Sequence, residues 1–135
     1  MNEAICVLFL FCSMIVNGGS VTSHENEVTR FDAPAIVLFA HVVLDGKYFS
    51  EIKVGNMLRY YDGEWKDYRV HKIVISQALE PTSTTTHLVI EGLTYSPTQI
   101  NNMFFGDPEA LVLMTCIRKE NNWSWGRLFI VAYPN

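Results

Sequence analysis

The chain is a succession of short apolar runs separated by turn-forming residues, a pattern that predicts strands more than helices. Ala35–Leu44, AIVLFAHVVL, reads as a strand. A turn at Asp45-Gly46 leads to an extended run, Tyr48–Val54, that stops at Gly55-Asn56. Met57–Tyr61 and Glu64–Gln77 read as two strands joined at Asp62-Gly63, a strong hairpin signal. In the second of these, Trp65, Asp67, Arg69 and His71 oppose Lys66, Tyr68, Val70 and Lys72. Neither face is cleanly apolar, so the pair is expected at an exposed sheet edge. Pro81–Thr86, PTSTTT, is a polar loop before the strand His87–Glu91. Ser96-Pro97 has the form of a helix N-cap followed by proline at the first helical position. The helix would run Thr98–Phe105 and stop at Gly106-Asp107-Pro108. Two further apolar runs, one ending at Cys116 and one opening at Arg127, predict the last strands, with the polar stretch Ile117–Gly126 as a loop between them. About seven strands and one short helix argue for a mainly antiparallel barrel or sandwich.

A length of 135 residues fits one domain with one core, and a hydrophobic content of 49% is enough to fill it. The net charge is −4, and the ten Lys and Arg residues are scattered. Such a chain has no electrostatic footprint for nucleic acid and no polybasic patch for an anionic membrane. The first residues change the picture more. Ala4–Val16 is apolar except for Ser13; as a helix it would reach about 20 Å, short of the roughly 30 Å hydrocarbon core. It is expected to be an export signal or a short membrane anchor within residues 1–20, with membrane association through residues 4–16. Residues 21–33 follow as a polar linker, and residues 34–135 form the folded domain. The protein is accordingly expected outside the cytoplasm, secreted or anchored. Cys6 and Cys12 fall in the leader, which leaves Cys116 as the one cysteine of the folded domain.

The candidate chemistry lies at the end of the chain. If the last two strands pair as an antiparallel hairpin, Cys116 and Arg127 become neighbours. A nearby imidazolium or guanidinium favours the thiolate, the nucleophilic form of cysteine. His41, in the strand-like run Ala35–Leu44, is the candidate imidazole. Arg127 keeps its proton, so it suits donation to a developing oxyanion rather than work as a base. Val112 and Met114 share the Cys116 face by strand alternation and would give a groove an apolar wall. Trp125 would be either part of a substrate wall or a clamp that orders its loop. Two blander readings fit the same residues: a buried, inert cysteine, and an Arg127 salt bridge to Glu120. His24, His71 and His87 lack zinc-site spacing, and no metal or cofactor is expected.

Leu113-Met114-Thr115-Cys116, followed by Arg127-Leu128-Phe129-Ile130-Val131, resembles the Thr-Leu-x-Thr-Cys strand and the arginine-bearing last strand of sortases. Ala40-His41, with Ile52-Lys53-Val54-Gly55-Asn56 after it, is similar to the family's histidine segment and the turn that follows. Tyr68-Arg69-Val70 resembles its tyrosine-x-valine strand. The resemblance covers residues 35–134. It implies a sortase-like antiparallel β-barrel with one or two short helices, lacking one or more of the strands that the family places before the histidine. It implies a cysteine transpeptidase that cuts a sorting peptide after threonine. Cys116 would be the nucleophile, His41 the general acid and Arg127 the oxyanion donor, with Thr115, Met114 and Trp125 shaping the substrate site. The implied partners are a peptide or protein bearing a sorting signal and an amine acceptor, either a cell-wall precursor or another protein. Two alternatives stand beside this reading. One is a truncated, catalytically inactive sortase-like binding module. The other is an L,D-transpeptidase-like wall enzyme, suggested by Cys116-Ile117-Arg118 but without that family's Ser-x-Gly-Cys or His-Gly.

Overall fold

A computed structural model describes residues 13–16, 19–22, 28–40 and 45–135. Two short strands, β1 (Ser13–Val16) and β2 (Gly19–Thr22), pair antiparallel as a small separate sheet. The main sheet has eight strands: β3 (Thr29–Asp32), β4 (Ile36–Ala40), β5 (Met57–Tyr61), β6 (Trp65–Ala78), β7 (Leu88–Ile90), β8 (Leu93–Tyr95), β9 (Leu111–Lys119) and β10 (Asn122–Pro134). Their order is β3-β4-β9-β10-β6-β7-β8, with β5 on β6. β3 lies within the segment read from sequence as a polar linker. All pairs are antiparallel except β4 with β9, which run parallel with Ala40 opposite Thr115. Among the described residues no helix is long and apolar enough to cross a membrane.

The sheet is mainly β, as the sequence pattern requires, but it does not close into a barrel. In place of a hydrogen-bonded seam, side chains tie the β3 edge to the β5–β6 hairpin. Arg30 Nη1 donates to Asp62 Oδ1 at 2.7 Å and to the Tyr60 hydroxyl at 3.2 Å. The guanidinium in turn holds the Asp62 carboxyl below the ordinary carboxylate range. Arg30 spans the gap because its forked guanidinium can bind two acceptors at once.

Both faces of the sheet are covered. On one face Val37, Phe39, Val112, Met114, Phe129 and Val131 pack with Ile100, Phe104 and Phe105. These last come from or adjoin α1 (Pro97–Phe104), the one α-helix among the described residues, and the Phe104 ring stacks on Phe129 at 4.2 Å between centroids. The helix begins where the sequence places it. Ser96 Oγ accepts from the Gln99 N–H and Gln99 Oε1 accepts from the Ser96 N–H, a reciprocal cap; such caps stabilise by about 1 kcal/mol. On the other face Leu38, Leu111, Leu113, Leu128 and Ile130 pack with Phe49, Ile52 and Leu58.

Four expectations need correcting. Asp45–Glu51 forms a 3-10 helix rather than a turn and an extended run. Phe49 and Ile52, three residues apart, both pack on the sheet, a spacing that suits 3-10 geometry. The β5–β6 pair is at an edge only on its β5 side: β5 pairs with β6 alone, whereas β6 is internal, with β10 on one side, β5 and β7 at its two ends on the other, and Tyr68 and Val70 buried. The polar appearance of β6 comes from Trp65–Asp67, which project past the end of β10 where Pro134 pairs Tyr68, and from Arg69, His71 and Lys72, which are exposed within the paired stretch. β8 was not anticipated: Glu91 and Gly92, at φ 49° and 82°, turn the chain so that Ile90 pairs Leu93. Finally, Ile117–Gly126 is mostly strand. β9 and β10 run through it to a turn at Glu120-Asn121, with a register shift between Asn122 and Gly126.

Candidate functional site

β9 alternates between the two core layers, which puts Val112, Met114 and Cys116 on the α1 side and Leu111 and Leu113 on the other. Cys116 lies directly across from Arg127 in the β9–β10 ladder, and Arg127 lies across from Ser76 in β6. Thiol-bearing and guanidinium-bearing residues are therefore lateral neighbours, as the hairpin reading requires. Both are buried, Cys116 at 0% exposure and Arg127 at 3%.

Arg127 is held at several points. Its Nη1 donates to the carbonyls of Ser124 at 2.9 Å and Gly126 at 3.1 Å, and Nη2 donates to the Pro81 carbonyl at 3.2 Å. Its own carbonyl accepts from Ser76 Oγ at 2.8 Å. The salt bridge to Glu120 is not formed; the Glu120 carbonyl instead accepts from Arg118 Nε at 2.9 Å. Among the described residues no carboxylate pairs with Arg127. A buried cation with neutral acceptors alone retains attraction for an anionic or strongly dipolar ligand. The nearby Ser124 hydroxyl is also buried and has no hydrogen-bond partner among the described residues.

Gly126 lets the strands approach this closely. A Cβ there would fall inside contact distance of the Ser76 carbonyl oxygen, so glycine is required by the spacing of β6 and β10 and not by its φ.

Thr115 faces away from Cys116 by alternation, and its Oγ1 donates to the Ala40 carbonyl at 2.7 Å. It pins the end of β4 to β9 at the residue covalently preceding His41. His41 itself lies outside the described residues, as does most of the apolar leader. Met114 is a core side chain at 1% exposure. Trp125 is half-buried with Lys119 Nζ 4.8 Å from its ring centroid, and Arg118 sits 3.9 Å from that of Trp123. These two cation–π contacts order the hairpin end, which favours the clamp reading of Trp125.

Ser76, Ser124 and the Pro81 carbonyl were not singled out from sequence. Their role depends on register between residues dozens of positions apart, for which the local sequence holds no signal.

No family model matches the chain, and no curated protein matches it by sequence. Its fold does match solved structures. Sortase C1 from Streptococcus suis superposes with a TM-score of 0.50 at 19% identity, over 78% of this chain and 51% of that one. Sortase C from Clostridium perfringens SM101 superposes with a TM-score of 0.51 at 14% identity, over 87% of this chain and 63% of that one. The chain thus has a sortase-like fold and spans between about half and under two thirds of the length of these structures.

Proposed function

We propose that this chain carries the catalytic end of a sortase-like cysteine transpeptidase. The observation that supports it most is the register pairing of Cys116 with Arg127 on one face of a sortase-like sheet. In the proposed reaction the Cys116 sulfur attacks the carbonyl carbon of a threonine in a sorting peptide. The C–S bond forms as the C–N bond breaks, and His41 delivers the proton to the leaving amine. Arg127 donates hydrogen bonds to the oxyanion through N–H groups that become available as its present contacts yield. An incoming amine then attacks the thioester, the C–S bond breaks, and the thiol is restored with the acyl group now on the amine.

Thr115 serves as a positioning residue, because its bond to the Ala40 carbonyl fixes the strand that leads into His41. The substrate is a peptide or protein with a sorting signal, and the acceptor is an amine on a wall precursor or a second protein. Residues 1–20 act as an export signal or anchor that delivers the domain outside the cytoplasm.

A second reading, a binding module without catalysis, draws on the burial of Cys116 at 0% exposure. A nucleophile must be uncovered before a peptide carbonyl can reach it; an inert core cysteine need not be. Incubating the full chain with a fluorogenic Leu-Pro-x-Thr-Gly peptide and hydroxylamine separates the two. Wild type is expected to cleave the peptide and form the hydroxamate, and Cys116→Ala to do neither. A folded wild type that leaves the peptide intact while retaining it would favour the binding module.

A further inference from the structure

We propose that the β6–β7 loop, residues 79–87, is an internal latch over the Cys116–Arg127 pair, with the Pro81 carbonyl occupying the guanidinium in the way a peptide carbonyl of a substrate would. The inference rests on the reading of Arg127 as the group that binds the substrate carbonyl. With Cys116 at 0% and Arg127 at 3% exposure, some element must move before any peptide reaches either. The two Nη1 bonds of Arg127 go to Ser124 and Gly126 in its own strand and move with it. Among the described residues, its side chain bonds to another element at one place, the Pro81 carbonyl. Proline has no N–H of its own, so it presents an acceptor here and no competing donor.

The loop presents that carbonyl from a turn at 80–83, in which the Ser83 N–H donates to the Glu80 carbonyl at 2.9 Å. Its neck is closed by Leu79 N–H donating to the His87 carbonyl at 3.1 Å. Inside it, Thr86 Oγ1 accepts from the Glu80 N–H at 2.7 Å and donates to the His87 carbonyl at 3.0 Å. Thr86 is 6% exposed, whereas Leu79, Glu80, Thr82 and Thr85 face solvent. The Thr86 hydroxyl is therefore a staple that sets the path of Glu80-Pro81, and few apolar contacts oppose the loop's release. A peptide carbonyl competing for the same Nη2 N–H would free Pro81 and open the site, coupling substrate arrival to access.

The test is the rate of iodoacetamide alkylation at Cys116 in the native full chain, followed by peptide mapping so that Cys6 and Cys12 are read separately. Amide hydrogen exchange is measured alongside. Thr86→Ala is expected to speed exchange at the Glu80 amide and to raise Cys116 alkylation about tenfold or more, the effect on an opening equilibrium of losing the two hydrogen bonds of the Thr86 hydroxyl. Thr86→Ser keeps the hydroxyl and is expected to match wild type, and β10 amides should exchange at the wild-type rate in both. An accelerated Glu80 amide with unchanged alkylation overturns the latch. So does an unaccelerated Glu80 amide, or an alkylation gain matched by faster exchange throughout β10, which would report global unfolding. Because alkylation needs no peptide turnover, a latch result of either sign is independent of whether the transpeptidase assay succeeds.

Discussion

Gly126→Ala is expected to destabilise the fold by about 3 kcal/mol or more, at the upper end of what overpacking costs. The added methyl would meet the Ser76 carbonyl oxygen, a backbone atom that cannot rotate away. Relief requires β6 and β10 to separate, and these two strands pair from Gly126–Gln77 to Pro134–Tyr68 through the centre of the sheet. The same movement would shift the Gly126 carbonyl that Arg127 Nη1 holds, so the guanidinium would lose its place along with the strand. Urea unfolding of wild type and variant measures the effect directly. A variant within about 0.5 kcal/mol of wild type, the range of neutral surface changes, would contradict the close approach of the strands.

Arg127→Ala is expected to lower kcat/KM for the sorting peptide by about 10²–10³, the loss typical of one oxyanion donor. Part of the cost is structural, since the Ser124, Gly126 and Pro81 carbonyls lose a common donor. Circular dichroism and a melting curve separate that part from the chemical one. Arg127→Lys keeps the charge, yet one ammonium cannot reproduce the planar fork that spans three carbonyls. It is therefore expected to recover less than about a tenth of the wild-type rate, on the same reasoning about bidentate geometry. Wild-type turnover in a folded Arg127→Ala protein would remove the arginine from the proposed reaction.

How far the sequence alone leads depends on whether the deciding interactions are local. The Ser96-Pro97 start and Asp62-Gly63 turn are chain-local devices, and both elements stand where their residues place them. The Cys116–Arg127 pairing was also legible, because two apolar runs on either side of a short connection have one natural way to pair. The connection itself was misread. Polar composition suggested a loop, whereas Arg118 and Lys119 stack on Trp123 and Trp125 and extend the hairpin to its turn. The parallel pairing of β4 with β9 sets residue 40 beside residue 115, a separation no local pattern encodes. Closure of the sheet was likewise beyond local reading: the family resemblance suggested a barrel, and the β3 edge meets the β5–β6 hairpin through Arg30, Tyr60 and Asp62 instead. The site shows the same division. Arg127 could be named from its position, but its bond to Pro81 spans 46 residues and appears only once the fold is known.

Transfer of an acyl group from a peptide to the Cys116 sulfur is read from the intact mass of the full chain after mixing with a Leu-Pro-x-Thr-Gly peptide and rapid acid quench. The expected result is a mass increase equal to the peptide acylated through its threonine, mapped to Cys116, discharged by hydroxylamine and absent from Cys116→Ala. A folded wild type that remains unmodified, or an adduct that persists in Cys116→Ala, would contradict it.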